Sequence, residues 1–121
     1  AVLNQSYEIP FNGKYSWLYV GEAALAFITS VSKDQTNANV FNLNGSCETI
    51  ENGLNLIRQL DKNANLSCVN QPFPFPPDLD DDPLRKHIGS YPSVSVKKGI
   101  EDTFKAFQKL KLEGRCPALL E

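Results

Sequence analysis

Residues 7–20 alternate imperfectly between apolar and polar positions, on either side of a tight turn signal. That signal is Asn12-Gly13, the dipeptide that most strongly favours a two-residue β-hairpin turn. The pattern therefore predicts two strands, residues 7–11 and 14–20, joined at this turn as a hairpin.

Residues 21–33 predict a helix whose apolar side chains occupy more than one face. Glu22 lies in the first turn, where a negative charge is favourable beside the positive end of the helix dipole. A helix that is apolar on several sides requires burial on several sides. A lobe of this size can hardly provide such burial, so we expect a second body to pack against this helix.

The middle of the chain predicts a strand over residues 40–44, which ends at Gly45, followed by a helix that Thr49 caps. The apolar residues of that helix recur at helical spacing: Ile50, Leu54, Ile57 and Leu60. Gly53 weakens a helix by roughly 1 kcal/mol relative to alanine, and its presence indicates a close packing contact.

A further strand is predicted over residues 64–70, and the four prolines within residues 71–77 then require an extended connection. Asp82 is predicted to cap a short helix that begins at Pro83 and ends near Gly89. The last helix starts after Ser95 and ends before Gly114. Its apolar residues form one stripe: Val96, Ile100, Phe104, Phe107 and Leu110.

Together these elements predict one α/β domain over residues 1–121, a small α+β lobe in which a short hairpin and strands pack with about four helices.

A hydrophobic content of 41% and a charged content of 21% are typical of an ordinary soluble protein. The net charge is −2 and the basic residues are scattered, which argues against nucleic-acid binding. No apolar run is long enough to span a membrane. Three cysteines without CxxC spacing favour free thiols, and we expect a cytoplasmic protein.

Two clusters of reactive residue types have plain structural interpretations. The acidic residues at positions 78, 80, 81 and 82 lack the glycine and glutamate that a calcium loop needs at its sixth and twelfth positions, since Pro83 and Gly89 stand there. They are interpreted as a solvated, helix-capping group.

His87 is the sole histidine, and nucleophilic catalysis with a cysteine would require a spatial pairing that the sequence does not show. We interpret it as a helix-surface side chain.

The most promising candidate binding residues lie on the second predicted strand. Trp17 and Tyr19 share one face and offer flat apolar surface with polar tips, and Lys14 can offer charge to an anionic substrate. The alternative interpretation is that they are ordinary core and rim side chains.

Three segments, in order, resemble the carboxyl-terminal part of the extended short-chain dehydrogenase/reductase family, which contains NAD(P)-dependent epimerases and dehydratases. They are residues 10–27, similar to the family's strand and helix ending in Val-x-Asp-x-Ala, residues 39–45, similar to its strand before a glycine turn, and the two-helix ending at 78–110. Glu22 replaces the usual aspartate. The family's later arginine has no counterpart at residues 71–78, which favours a smaller sugar-like substrate over a nucleotide sugar.

The resemblance implies that this chain is a substrate-binding lobe, and that another domain supplies the cofactor-binding and catalytic parts. No glycine-rich dinucleotide motif and no Tyr-x-x-x-Lys pair occur in the chain. We therefore expect it to hold neither cofactor nor catalytic groups itself, the parent enzyme using NAD or NADP. The implied partners are an amino-terminal Rossmann domain and a small sugar-like substrate, with homodimerisation possible. The alternative is a stand-alone binding or regulatory protein without catalytic activity.

Overall fold

The structure, a computed structural model, describes residues 1–33 and 37–116. The described elements follow the chain in the order β1 (Tyr7–Ile9), β2 (Lys14–Trp17), α1 (Val20–Val31), β3 (Ser46–Thr49), α2 (Ile50–Leu60), β4 (Leu66–Cys68), α3 (Asp82–Ile88) and α4 (Val96–Leu112). This confirms the predicted small α+β architecture. Within the described residues, no helix is both long and apolar enough to cross a membrane.

The predicted hairpin is wrong, because its two strands belong to different sheets. β1 pairs in parallel with β4, whereas β2 pairs antiparallel with β3, with Lys14 opposite Thr49 and Trp17 opposite Ser46. The backbone around the turn signal bonds to distant segments instead: the Asn12 N–H donates to the Gln71 carbonyl at 2.6 Å, and the Gly13 carbonyl accepts from Ile50 at 2.9 Å. A local turn signal carries no information about such distant partners.

The strand predicted at residues 40–44 is also wrong, since the strand of this region is β3, which starts after Gly45. Phe41 and Leu43 do turn towards the interior, where they pack against the buried cluster of Ala26, Leu84, Ile88 and Tyr91. Their alternation therefore reflects burial of two side chains from an extended segment. A strand needs a neighbouring backbone, and β2 offers its edge to residues 46–49.

The predicted Thr49 cap and the predicted start of the last helix after Ser95 are confirmed. The Thr49 hydroxyl accepts from the Asn52 N–H at 3.1 Å, and the Ser95 hydroxyl accepts from the Lys98 N–H at 3.3 Å. The prediction for Asp82 is wrong by position, because Asp82 is already helical and its own N–H donates to the Asp80 carboxylate at 3.0 Å. Neighbouring aspartates are chemically equal candidates, so sequence alone could not choose among them.

Helix α1 contacts α3 through its buried Ala26 and presents much of its remaining apolar surface to solvent. The exposed fraction is 72% for Val20, 68% for Phe27 and for Ile28, and 86% for Val31. These four residues, called here the α1 face, recur at helical spacing on the outside of the helix. Apolar patches of this kind on a soluble protein mark surfaces that another body covers.

A charged cluster joins the start of α3 to the core. The Asp81 carboxylate accepts from Arg85 at 2.9 Å and from the Tyr91 phenol at 3.2 Å, and the Arg85 guanidinium lies 4.3 Å from the centre of the Tyr91 ring. Burial raises the pKa of Tyr91; Arg85 opposes this rise, and the charge of Asp81 and the hydrogen bond to it reinforce it.

We expect this cluster to make the free energy of unfolding fall as the pH rises into the alkaline range. Because the folded state holds the Tyr91 proton more tightly than the unfolded chain does, its contribution is complete below the unfolded pKa and is lost as pH rises through the folded one. Tyr91→Phe keeps the ring over Arg85 but should cost about 1 kcal/mol at neutral pH. It should also flatten the fall in unfolding free energy above about pH 10. Urea titrations across this range test it, with Tyr7→Phe, an exposed tyrosine, expected to keep the parent slope.

Candidate functional site

An apolar cavity of about 520 Å³ opens where the end of β2 meets helices α2 and α4. We call it the aromatic groove. Residues 17–20 supply one part of its lining, Ile57 extends from α2, and α4 supplies the longest wall. The full lining consists of Ala1, Val2, Trp17, Leu18, Tyr19, Val20, Ile57, Val94, Ser95, Val96, Gly99, Ile100, Thr103, Phe104 and Phe107.

Trp17 is fixed in the groove by a glycine on α2. A Cβ atom at Gly53 would lie 2.3 Å from Cη2 and 2.4 Å from Cζ2 of the Trp17 ring, so the indole rests directly on the helix backbone. The indole N–H donates to the Glu48 carbonyl at 3.2 Å, and Tyr15 meets the ring edge-on at 6.2 Å between centroids. The close contact predicted at Gly53 is therefore confirmed, and its partner is the candidate tryptophan.

Tyr19 is positioned in a comparable way at the start of α1. Its side chain lies against Gly99 of α4, where a Cβ atom would come within 3.4 Å of the Tyr19 Cβ, and against Gly21. Its backbone N–H donates to the Glu22 carboxylate at 3.4 Å, and Glu22 is only 3% exposed. Glu22 thus closes the first turn of α1 and holds the backbone that carries Tyr19.

The apolar stripe predicted on α4 lines the groove instead of filling a closed core. Val96 is buried, but Ile100, Phe104 and Phe107 face the cavity, and Phe107 is 46% exposed. Their spacing predicted an apolar face without distinguishing a packed face from a cavity wall. The one sequence signal for a cavity was Gly99 within this helix, because it leaves room for the Tyr19 ring.

None of the described side chains that line the groove is charged. Lys98 and Asp102, one turn apart on α4, form an ion pair, and the hydrogen bond to Asp102 raises the pKa of Lys98. Thr103 contributes a hydroxyl to the lining, whereas the Ser95 hydroxyl is already engaged by the Lys98 N–H. The groove therefore offers flat aromatic surface with few polar groups.

The structure brings two of the three sequence-predicted site residues together. Trp17 and Tyr19 both line the groove, but Lys14 lies at the opposite end of β2, exposed and opposite Thr49. Lys14 lies three positions before Trp17 on the strand, about 10 Å along the backbone. Phe104 and Phe107 are the groove residues that sequence reasoning assigned to a plain apolar stripe.

The other candidate groups lie away from the groove. The His87 ring packs 5.0 Å from Phe41 and lines a second cavity beside α1 and α3. Partial burial and the charge of Glu51 raise the pKa of the Cys68 thiol, which lowers its thiolate fraction and its nucleophilicity. Across residues 1–33 and 37–116, no three histidine, cysteine or acidic side chains converge to hold a metal ion.

Comparison with known proteins finds similar folds but no similar sequence. No protein-family model matches the chain, and neither does any curated protein sequence. Among solved structures, a partial-consensus L-threonine 3-dehydrogenase matches with a TM-score of 0.71 at 16% identity, over 89% of this chain. An NAD-dependent NDP-hexosamine 5,6-dehydratase involved in tunicamycin biosynthesis matches with a TM-score of 0.63, also at 16% identity, over 84%.

These two neighbours are much longer than the region they share with this chain. The match covers 39% of the threonine dehydrogenase and 36% of the dehydratase. The chain therefore has the fold of part of a dehydrogenase and part of a dehydratase, as the sequence resemblance predicted. At this level of identity the likeness concerns the fold alone.

Proposed function

We propose that this chain is the substrate-binding portion of an NAD-dependent oxidoreductase of the dehydrogenase/dehydratase kind, with cofactor-binding and catalytic groups supplied by a dinucleotide-binding domain. The single observation that carries the proposal is the aromatic groove, set in a fold that the chain shares with parts of two such enzymes. A preformed apolar cavity with a few polar groups is the usual form of a small-molecule site.

The α1 face supports the second half of this proposal. Val20, Phe27, Ile28 and Val31 are each at least two-thirds exposed, and such a face is costly to leave in water. Val20 also lines the groove. A dinucleotide-binding domain that packed on the α1 face would therefore lie next to the groove, where a bound substrate could meet the nicotinamide.

Within the groove, Trp17 and Tyr19 would hold the body of the substrate. The Trp17 ring is held by its contact with Gly53 and its hydrogen bond to the Glu48 carbonyl, and the Tyr19 side chain contacts two glycines on a backbone held by Glu22, so both lose little conformational freedom when a ligand binds. Lys14, outside the groove, stays a prediction: it would act only through a charged extension of the substrate that reached past the end of β2.

The test uses the natural full-length protein that contains these residues. Trp17→Leu should weaken substrate binding and raise KM about tenfold or more, because a stacked aromatic surface is lost. Nicotinamide binding, followed by the fluorescence of NADH, should not change. Phe75→Leu is the matched control, since Phe75 is an exposed aromatic residue outside the groove. Lys14→Ala, measured alongside, tests the charged-extension role.

Two results would contradict the proposal. A full-length protein that binds neither NAD nor NADP would support the alternative of a stand-alone binding or regulatory protein. Dinucleotide binding with a KM that is the same in Trp17→Leu and in the parent would remove the groove from the substrate site.

A further inference from the structure

We infer that the aromatic groove takes an apolar, ring-shaped alcohol or ketone with one polar group, in place of the sugar-like substrate expected from sequence. The inference rests on the proposed function and names the substrate class of the same site. Three properties of the groove carry it: the charge of its lining, its shortage of hydrogen-bonding groups, and the shape of its aromatic walls.

The described lining offers no charged side chain to a nucleoside diphosphate. Among the described residues of α4, Lys98 is paired with Asp102, and Lys111 donates to the carbonyl of Val2, a lining residue, at 2.7 Å. Diphosphate recognition in proteins relies on arginine or lysine forks, or on backbone N–H groups at the start of a helix. At the start of α4 the Ser95 hydroxyl already accepts the Lys98 N–H, so one of the N–H groups of this helix end is engaged.

The lining also disfavours a simple sugar. A sugar carries a hydroxyl on nearly every carbon, and each hydroxyl buried without a partner costs about 1–3 kcal/mol. The lining side chains that could bond to them are the hydroxyls of Thr103, Tyr19 and Ser95, of which the Ser95 oxygen already accepts the Lys98 N–H; the Trp17 N–H is engaged with the Glu48 carbonyl. These few hydroxyls suffice for one polar group on the ligand, and they do not match the roughly four or five hydroxyls of a sugar ring.

The apolar walls suit a compact ring system. Trp17, Tyr19, Phe104 and Phe107 surround a cavity of about 520 Å³, together with the aliphatic side chains of Ile57 and Ile100. Each apolar carbon that leaves water for such walls contributes roughly 0.8 kcal/mol. A monocyclic or bicyclic alcohol therefore gains most of its binding energy from the ring, and its single oxygen needs only one of these hydroxyls.

Trp17 provides the readout, because it is the single tryptophan of the chain and it lines the groove. Menthol and menthone serve as the apolar probes, glucose and UDP-glucose as the polar ones, with no cofactor added. We expect menthol and menthone to change the Trp17 emission saturably, and glucose and UDP-glucose to leave it unchanged.

The matched variants are Thr103→Lys and Phe75→Leu. Thr103 is an exposed helical position that lines the groove, so lysine is compatible with folding and brings a charge to the apolar wall. We expect it to weaken menthol binding about tenfold or more. Phe75→Leu, which changes an aromatic residue outside the groove, should bind menthol as the parent does.

Saturable binding of UDP-glucose without binding of menthol would overturn the inference, and so would a menthol affinity unchanged in Thr103→Lys. A dimer that forms at the assay concentration and abolishes the menthol response would also overturn it, since the occupant would then be a second copy of the chain. Menthol binding by this chain, combined with a full-length protein that binds no dinucleotide, would contradict the proposed function and leave the ligand class standing.

Discussion

Replacing Gly45 with alanine is expected to cause the largest loss of stability of any alanine substitution at a glycine of this chain. The added Cβ would lie 2.1 Å from the Trp17 carbonyl oxygen, 2.4 Å from its carbon and 2.6 Å from the Leu18 nitrogen. All three are backbone atoms, so no side-chain rotation relieves the overlap. The two segments must move apart, and we expect the free energy of unfolding to fall by about 3 kcal/mol or more.

The position of Gly45 explains why this movement would spread. Its N–H donates to the Ser16 hydroxyl at 2.9 Å, and that hydroxyl donates to the Asn44 side chain at 2.7 Å. The next residue, Ser46, is the strand partner of Trp17. Separating the two backbones therefore disturbs the end of the β2–β3 ladder and the tryptophan that lines the aromatic groove.

Guanidinium unfolding followed by far-UV circular dichroism measures this effect. Gly99→Ala is the matched control, because its Cβ would meet the Tyr19 side chain at no less than 3.4 Å, an ordinary contact, and alanine is favoured over glycine within a helix by about 1 kcal/mol. We expect Gly99→Ala to be neutral or slightly stabilising. Equal stability of Gly45→Ala and the parent would contradict this prediction, because the backbone of residues 17–18 would then have room for a side chain at position 45.

The helices were largely predictable from the sequence, because their signals are local. Thr49 and Ser95 cap their helices through hydroxyls that accept from the N–H three residues later, and Ile50 and Leu54, at helical spacing on α2, are both buried. The strands were less predictable. Asn12-Gly13 is a strong hairpin signal, yet Asn12 bonds to Gln71 and Gly13 to Ile50, partners that only the assembled chain provides.

The candidate site was also only partly predictable from the sequence. Trp17 and Tyr19 could be selected because aromatic residues with polar tips, two apart on the predicted strand, would present one surface, although β2 ends at Trp17 and Tyr19 lies at the start of α1. Their enclosure depends on α4, whose Phe104 and Phe107 come from the far end of the chain. Lys14 belongs to the same strand as Trp17, but it lies at the end of that strand farther from the groove. The closeness of the two residues in the sequence does not indicate this distance.

The glycine of α2 connects the two levels. Gly53 costs its helix stability, and it leaves space that the Trp17 ring occupies, whereas an alanine Cβ at Gly99 would only touch Tyr19 at an ordinary distance. This wall of the groove thus exists because α2 gives up a side chain at the point where Trp17 approaches. Restoring a side chain at Gly53 is accordingly a direct test of how the site is built.

Gly53→Ala is expected to destabilise the protein even though alanine favours the helix. The helical preference for alanine is worth about 1 kcal/mol, whereas the added Cβ would overlap two carbons of the Trp17 ring at 2.3 and 2.4 Å. Overpacking of this kind costs about 1–3 kcal/mol. The ring must leave Gly53, lose its bond to the Glu48 carbonyl and turn towards solvent, so we also expect a red-shifted Trp17 emission and weaker menthol binding.

A second substitution separates steric overlap from a general effect on α2. Phenylalanine at position 17 lacks the two outer indole carbons that meet Gly53, so Trp17→Phe should relieve the overlap. In the double variant Gly53→Ala/Trp17→Phe, we expect an unfolding free energy at least equal to that of Trp17→Phe alone, because the helical gain of alanine then stands without the clash. Additive losses in the two substitutions would contradict this, and would mean that Gly53 is required by something other than the tryptophan that forms the wall of the groove.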